Sequence, residues 1–187
     1  MKTNIDATRA VFSAFLLVGA CSRAATNDER GARRNIALEA TTSSNSEFGG
    51  KQIYLAKNVN DGNRANKGHG PKFPSWGPDK VENPWLRLEW EQDVEIDHLR
   101  VFIRCDFAPY ARQDHDSWWK SGNIELSTGE TVPFTLEKTA DGQVVELYGK
   151  TARWIKFTDL VAHEDKWCAF CEVEVIGQPA GPDAGGN

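Results

Sequence analysis

Residues 85–91 read WLRLEWE and residues 98–105 read HLRVFIRC. In both stretches apolar side chains return at every second position. Leu86, Leu88 and Trp90 share one side of an extended chain, with Arg87 and Glu89 on the other. Leu99, Val101, Ile103 and Cys105 alternate in the same way with His98, Arg100, Phe102 and Arg104. A two-residue period marks a strand with one face on a core. No long stretch keeps the 3.6-residue apolar period of a helix, so the expected class is all-β.

Outward from these two stretches the strand signal recurs in short units. Residues 35–40 (NIALEA) read as a first strand. Residues 123–127 and 131–137 flank a turn at Thr128 and Gly129, and Asp141-Gly142 is a second hairpin signal leading into 144–148. Residues 153–158 (RWIKFT) and 170–176 (FCEVEVI) follow. Residues 43–83, rich in Gly, Asn, Pro and Lys, read mostly as loop, with a one-turn helix at 51–56. About eight short strands with long loops predict a sandwich or barrel. The lack of a long internal repeat excludes a solenoid.

The N-terminal end has another character. Lys2 and Arg9, with Asp6 between them, precede an apolar run at 11–20 (VFSAFLLVGA). Roughly ten apolar residues are too few to cross a bilayer and fit the hydrophobic region of a signal peptide at 1–20. The run ends Leu17-Val18-Gly19-Ala20-Cys21, which resembles the lipobox of bacterial lipoproteins. That resemblance implies cleavage before Cys21 and acylation of its sulfur, palmitate included; more than one acyl chain gives stable anchoring. Ser22 resembles the outer-membrane sorting signal of Gram-negative bacteria. The alternative is an ordinary signal cut after Ala20 or Ala25, releasing a free protein. Residues 21–34 read as a flexible tether and 178–187 as a Gly/Pro-rich disordered tail, leaving 35–177 for one domain.

Composition excludes two partners. A net charge of −5 argues against nucleic acid, whose binding rests on cations facing phosphates. It also supplies no polybasic patch for anionic lipid, so the membrane is reached through the anchor only. Seven Trp against three Tyr and one Met direct attention to the indoles, which serve cores and binding faces alike.

The order of motifs points to a family. Asn35-Ile36-Ala37-Leu38, Asn60-Asp61-Gly62-Asn63, Trp85-Leu86-Arg87-Leu88-Glu89, the run from Glu95 to Val101, Arg153-Trp154-Ile155-Lys156 and Glu172-Val173-Glu174-Val175 together resemble the discoidin, or coagulation factor V/VIII type C, superfamily. Family 32 carbohydrate-binding modules belong to it. Residues 115–121 (HDSWWKS) look like a bacterial subgroup found in lipoproteins and sugar-processing enzymes. The resemblance covers 35–177 and implies an eight-stranded jelly-roll β-sandwich of the galactose-binding type. It also implies non-catalytic ligand binding by loops at one end.

That resemblance implies a structural Ca²⁺ held by Asp61 and Glu172. Ca²⁺ takes six to eight oxygens from carboxylates and from carbonyls of a sharply turned loop, and Gly62 permits the turn. Arg64 and Lys67 follow closely, and their charge would weaken binding. The plainer alternative makes Asp61 a turn residue and Glu172 a solvated strand residue. For a sugar, an aromatic platform and a few planar hydrogen-bonding groups are needed. The candidates are Tyr110, Arg112, His115 and Trp119 in and after the loop that follows Cys105, with Trp76 and Trp167 from two other loops. Trp118 and Trp119 are adjacent and cannot face the same way on a strand, so one is expected in the core and the other at the surface.

With Cys21 acylated, Cys105, Cys168 and Cys171 remain. Strand parity turns Cys105 and Cys171 inward, and one disulfide from Cys105 to Cys168 or Cys171 suits an oxidising envelope. Zn²⁺ on the three cysteines and His163 or His115 is the sharper alternative. No nucleophile, zinc-protease or phosphate-loop motif appears, so no catalysis is expected. The expected function is a non-catalytic carbohydrate-binding module on the bacterial envelope. Its partner is a glycan or polysaccharide. The alternatives are an adhesion domain for an envelope protein partner and, behind it, a small carbohydrate-active hydrolase or lyase.

Overall fold

The computed structural model describes residues 32–68, 70–105, 118–164 and 167–181. Seven strands appear: β1 (Arg34–Asn35), β2 (Thr41–Ser44), β3 (Leu86–Ile103), β4 (Trp119–Leu126), β5 (Thr131–Thr135), β6 (Gln143–Ala162) and β7 (Phe170–Pro179). Every pairing between them is antiparallel.

The all-β expectation holds, and among the described residues two mergers and one strand not expected, β2, turn the count of eight into seven. The two stretches 85–91 and 98–105 are one strand, β3, and 144–148 and 153–158 are one strand, β6. Each passes through bulges rather than turning back. In β3 the register with β6 slips between Glu89 and Val94 and again between Ile96 and His98. A bulge bends and twists a strand without ending it. The first half of β3 thus pairs with β2 and the second half of β6, while its second half pairs with β7 and the first half of β6. Both long strands serve both layers of the sandwich. Phe157 of one layer meets Phe170 of the other at 5.2 Å between ring centroids.

Leu86, Leu88, Trp90, Leu99, Val101 and Ile103 all enter the apolar core, as the alternation requires. The opposite face is less simple: Phe102 and Arg104 are buried too. Arg64 lies over the Phe102 ring, and Arg104 lies over Tyr54 and Trp167.

Three local readings change. Of the first expected strand only Asn35 lies in a strand, paired in β1 beside Arg34; Ala37–Glu39 is a 3-10 turn, and a polar edge strand, β2, follows and runs into the stretch read as loop. The turn expected at 51–56 is present as two 3-10 turns, Gln52–Tyr54 and Ala56–Val59. Asp141-Gly142 does not close a hairpin: β5 pairs with β4, β6 pairs with β3 and β4, and the segment crosses between them. At the termini, Arg33 pairs with Glu95 and Asp97, and Gln178 is buried with its amide donating to Glu95. The ordered domain therefore reaches past both expected boundaries. Cys21 and the leader lie outside the described residues.

Candidate functional site

The tryptophans separate into core and rim. Trp76 is fully enclosed; its backbone bridges to Phe170, its ring lies along Trp119 and Phe170, and its indole N–H donates to the Ser46 carbonyl at 3.1 Å. It is a core residue and not a platform. Trp118 and Trp119 are both buried at 5 % exposure, which corrects the expectation that one of them faces solvent. Both faces of the strand are covered at this point. Trp119 packs on Trp76 and Phe170, and Trp118 lies under the His163 ring, 3.7 Å away and nearly parallel. Both indole N–H groups are buried with no hydrogen-bond partner among the described residues. Tyr110, Arg112 and His115 lie outside the described residues.

Trp167 stands differently. It is half-buried, and its N–H donates to the Pro78 carbonyl at 2.7 Å. Tyr54 braces the ring edge-on at 5.0 Å and Phe48 lies tilted against it at 5.4 Å, and the Arg104 guanidinium sits 5.6 Å from its centroid. Its six-membered ring lies flat on the backbone at Gly77, where a Cβ would come within 2.1 Å of it, so only glycine fits there. These contacts fix the indole without burying it.

In front of Trp167 is a cavity of about 410 Å³, with Phe48, Asp79, Lys80, Val81 and Trp119 among its walls. Asp79 is held in place by the Gly49 N–H on Oδ1 at 3.0 Å and by its own N–H to Ser46 Oγ at 2.9 Å. The cavity thus offers aromatic faces beside one carboxylate and one ammonium. Phe48, Tyr54, Asp79, Lys80 and Arg104 were not among the sequence candidates. The signal available for them was the rigid Pro74-Ser75-Trp76-Gly77-Pro78 run, whose neighbours form the wall.

The turn carrying one expected metal residue lies against the other, while the Asp61 carboxylate itself accepts the Asn63 N–H at 2.8 Å. Glu172 on β7 is fully buried, and its Oε1 accepts the Gly62 N–H at 3.1 Å, so the turn carrying Asp61 lies against it. Its Oε2 is buried with no hydrogen-bond partner among the described residues. Burial pushes the Glu172 carboxyl up to about 8; the Gly62 N–H works against this, while the charges of Asp61 and Glu174 add to it. Glu172 is therefore not a solvated strand residue. Arg64 is turned away from the turn: its guanidinium pairs with Glu174, which Arg100 also contacts at 3.4 Å. An orphaned buried carboxylate oxygen beside a glycine turn fits a hard cation with oxygen ligands. Asp61 and Glu172 would hold it with carbonyls of the 60–63 turn, since no group of three or more His, Cys, Asp and Glu side chains converges among the described residues.

The same observation removes the zinc reading for Cys105, Cys168, Cys171 and His163. All three cysteines are buried thiols, so the expected disulfide from Cys105 to Cys168 or Cys171 is not formed. Burial pushes Cys168 and Cys171 up to about 12. Cys168 donates to the Trp118 carbonyl, whereas Cys171 lies outside the main apolar cluster, where it feels the Arg104 charge. A register slip between Phe102 and Ile103 against β7 breaks the parity that would have aligned Cys105 with Cys171.

Solved structures share this architecture. A fucolectin-type F-lectin from striped bass (Morone saxatilis) serum superposes with a TM-score of 0.60 at 18 % identity over 79 % of this chain and 50 % of that one. A Streptococcus pneumoniae fucose binding module gives 0.58 at 17 % over 76 % and 96 %. The family 32 module of C. perfringens NanJ, solved in complex with galactose, gives 0.58 at 16 % over 77 % and 98 %. The fold is galactose-binding-like. The chain spans half of the bass lectin and nearly all of the two bacterial modules. No protein-family model matches its sequence, and no curated protein matches it.

Proposed function

We propose that this protein is a non-catalytic glycan-binding module, displayed on a bacterial envelope through acylated Cys21, whose binding site is the cavity in front of Trp167. The observation that carries this is Trp167 itself: an indole fixed by five neighbours yet left at a solvent-facing wall. A rigid aromatic face takes the C–H face of a sugar ring at little cost in side-chain entropy, and Asp79 and Lys80 lie where hydroxyls would need partners. The buried N–H of Trp119, a residue of the same wall, has no hydrogen-bond partner among the described residues and could serve as a further donor. The solved modules of the same fold bind fucose or galactose, which supports a sugar over a protein ligand. A structural Ca²⁺ at Asp61 and Glu172 would stiffen the turn and neutralise the buried Glu172. The apolar run ending at Cys21 supports anchoring, and the outer membrane is its expected destination.

The test is a glycan array with Ca²⁺ present, followed by titration of any hit. Trp167→Ala should weaken binding at least ~10-fold, and Lys80→Ala, at an exposed position, should weaken it by less. Matching melting curves would show that both variants fold. No glycan bound by the unaltered protein, or equal binding by Trp167→Ala, would overturn the assignment.

A further inference from the structure

Tyr148 is the most exposed large apolar side chain among the described residues, at 82 %. Its φ is +52°, and that of Gly149 is +75°. A bulky residue in the left-handed region strains the backbone, and Gly or Asn would sit there at lower cost. The cause is a wide bulge. Glu146 pairs with His98 and Lys150 with Ile96, so residues 147–149 stand opposite Asp97 alone. Leu147 turns fully into the core and anchors the bulge; Tyr148 is thrust outward. Folding gains little from so exposed a ring and loses stability through its backbone, so packing does not account for it.

The ring borders a shallow groove of about 370 Å³ that shares no residue with the Trp167 cavity. The groove lies between β5 and the first half of β6, which pairs only with β3. Phe134 and Val145 form its buried floor, Val144 and Tyr148 its exposed apolar rim, and Thr135 and Glu146 its polar part. Two observations decide the occupant. The groove is far too small for a protein interface, which buries about 800 Å² per partner, and Pro133 blunts β5 against strand addition. Glu146 is the one charged lining residue, is exposed, and makes no ion pair among the described residues. An exposed ring beside one unpaired carboxylate and a hydroxyl suits a sugar that carries an ammonium group.

We propose that this groove is a second saccharide subsite, taking one or two rings of an amine-bearing glycan with a sugar face on Tyr148 and the ammonium beside Glu146. It does not depend on what the Trp167 cavity binds. Two separate sites on one module let it bridge two chains or gain avidity on one.

The probe is a fully deacetylated chitosan tetramer, titrated by calorimetry into the full chain, with the N-acetylated tetramer alongside. Tyr148→Ala should lower affinity for the deacetylated tetramer at least ~10-fold, and Glu146→Gln should abolish the preference for it over the acetylated one. Trp167→Ala should leave this binding unchanged, which separates the groove from the cavity. Tyr148→Gly should lose binding while raising the melting temperature by about 2–4 °C, because the strain is relieved. Absence of tetramer binding, binding that survives Tyr148→Ala, or a melting temperature lowered by Tyr148→Gly would each overturn the proposal.

Discussion

Glu172 and Glu174 lie two residues apart on β7, both almost wholly buried, yet they are satisfied in opposite ways. Glu174 has Arg64 on one oxygen and Arg100 on the other. Glu172 has backbone N–H groups of the 61–62 turn, one oxygen with no hydrogen-bond partner among the described residues, and a carboxyl pushed up to about 8. A buried carboxylate must be neutralised by a proton or by a cation. At Glu174 the chain supplies its own cations. At Glu172 it supplies a glycine turn and a second carboxylate, Asp61, which makes the deficit larger. The arrangement is poor as a permanent ion pair and suited to a cation that comes from outside.

The comparison can be broken first at Glu174. The double variant Arg64→Met with Arg100→Met leaves that carboxylate buried and unpaired, and should cost about 3–5 kcal/mol by urea denaturation. Next comes Glu172. If Ca²⁺ binds there, a free concentration 100-fold above Kd should stabilise the protein by about 3 kcal/mol, and Glu172→Gln should remove that gain. Without metal, the raised carboxyl means that the native state holds a proton the unfolded chain has released. Its contribution is then present below about pH 4.5 and is lost as pH rises through about 8. Ca²⁺ or Glu172→Gln should flatten that decline, and a melting-temperature series from pH 5 to 8.5 reads it directly. A pH profile unchanged by both would show that Glu172 titrates normally. The smallest effect is expected from Arg64→Met alone: Arg64 is 57 % exposed and Arg100 remains, so about 1 kcal/mol or less should be lost.

The sequence carried some of this better than the rest. Leu86, Leu88 and Trp90 were legible because one face of β3 meets the core and the other meets solvent, so burial follows alternation. Legibility failed where both faces are covered. Trp118 and Trp119 cannot point the same way, but His163 covers one and Trp76 the other, and neither cover is local in sequence. It failed again at the bulges. Residues 90–93 and 147–149 carry the polar residues and glycine of turns, yet the strands continue because the pairing of β3 with β6 resumes beyond each bulge. The polar edge strand at Thr41–Ser44 has no apolar side to announce it. The pairing of Asp61 with Glu172 was readable only through family resemblance, since 110 residues separate Gly62 from Glu172. Trp167 was identifiable as a candidate, whereas its supports Phe48, Tyr54 and Arg104 came from three separate segments.

The double service of β3 and β6 also bears on how the molecule assembles. Neither layer can be completed while the other is absent, because each borrows half of the same two strands. No half of the chain is a unit that could fold early and wait. Most pairings join residues distant in sequence, and β1 finds β7 only after nearly the whole domain has emerged. Beyond the β4–β5 hairpin the topology has little local pairing, and folding dominated by distant pairings is slow.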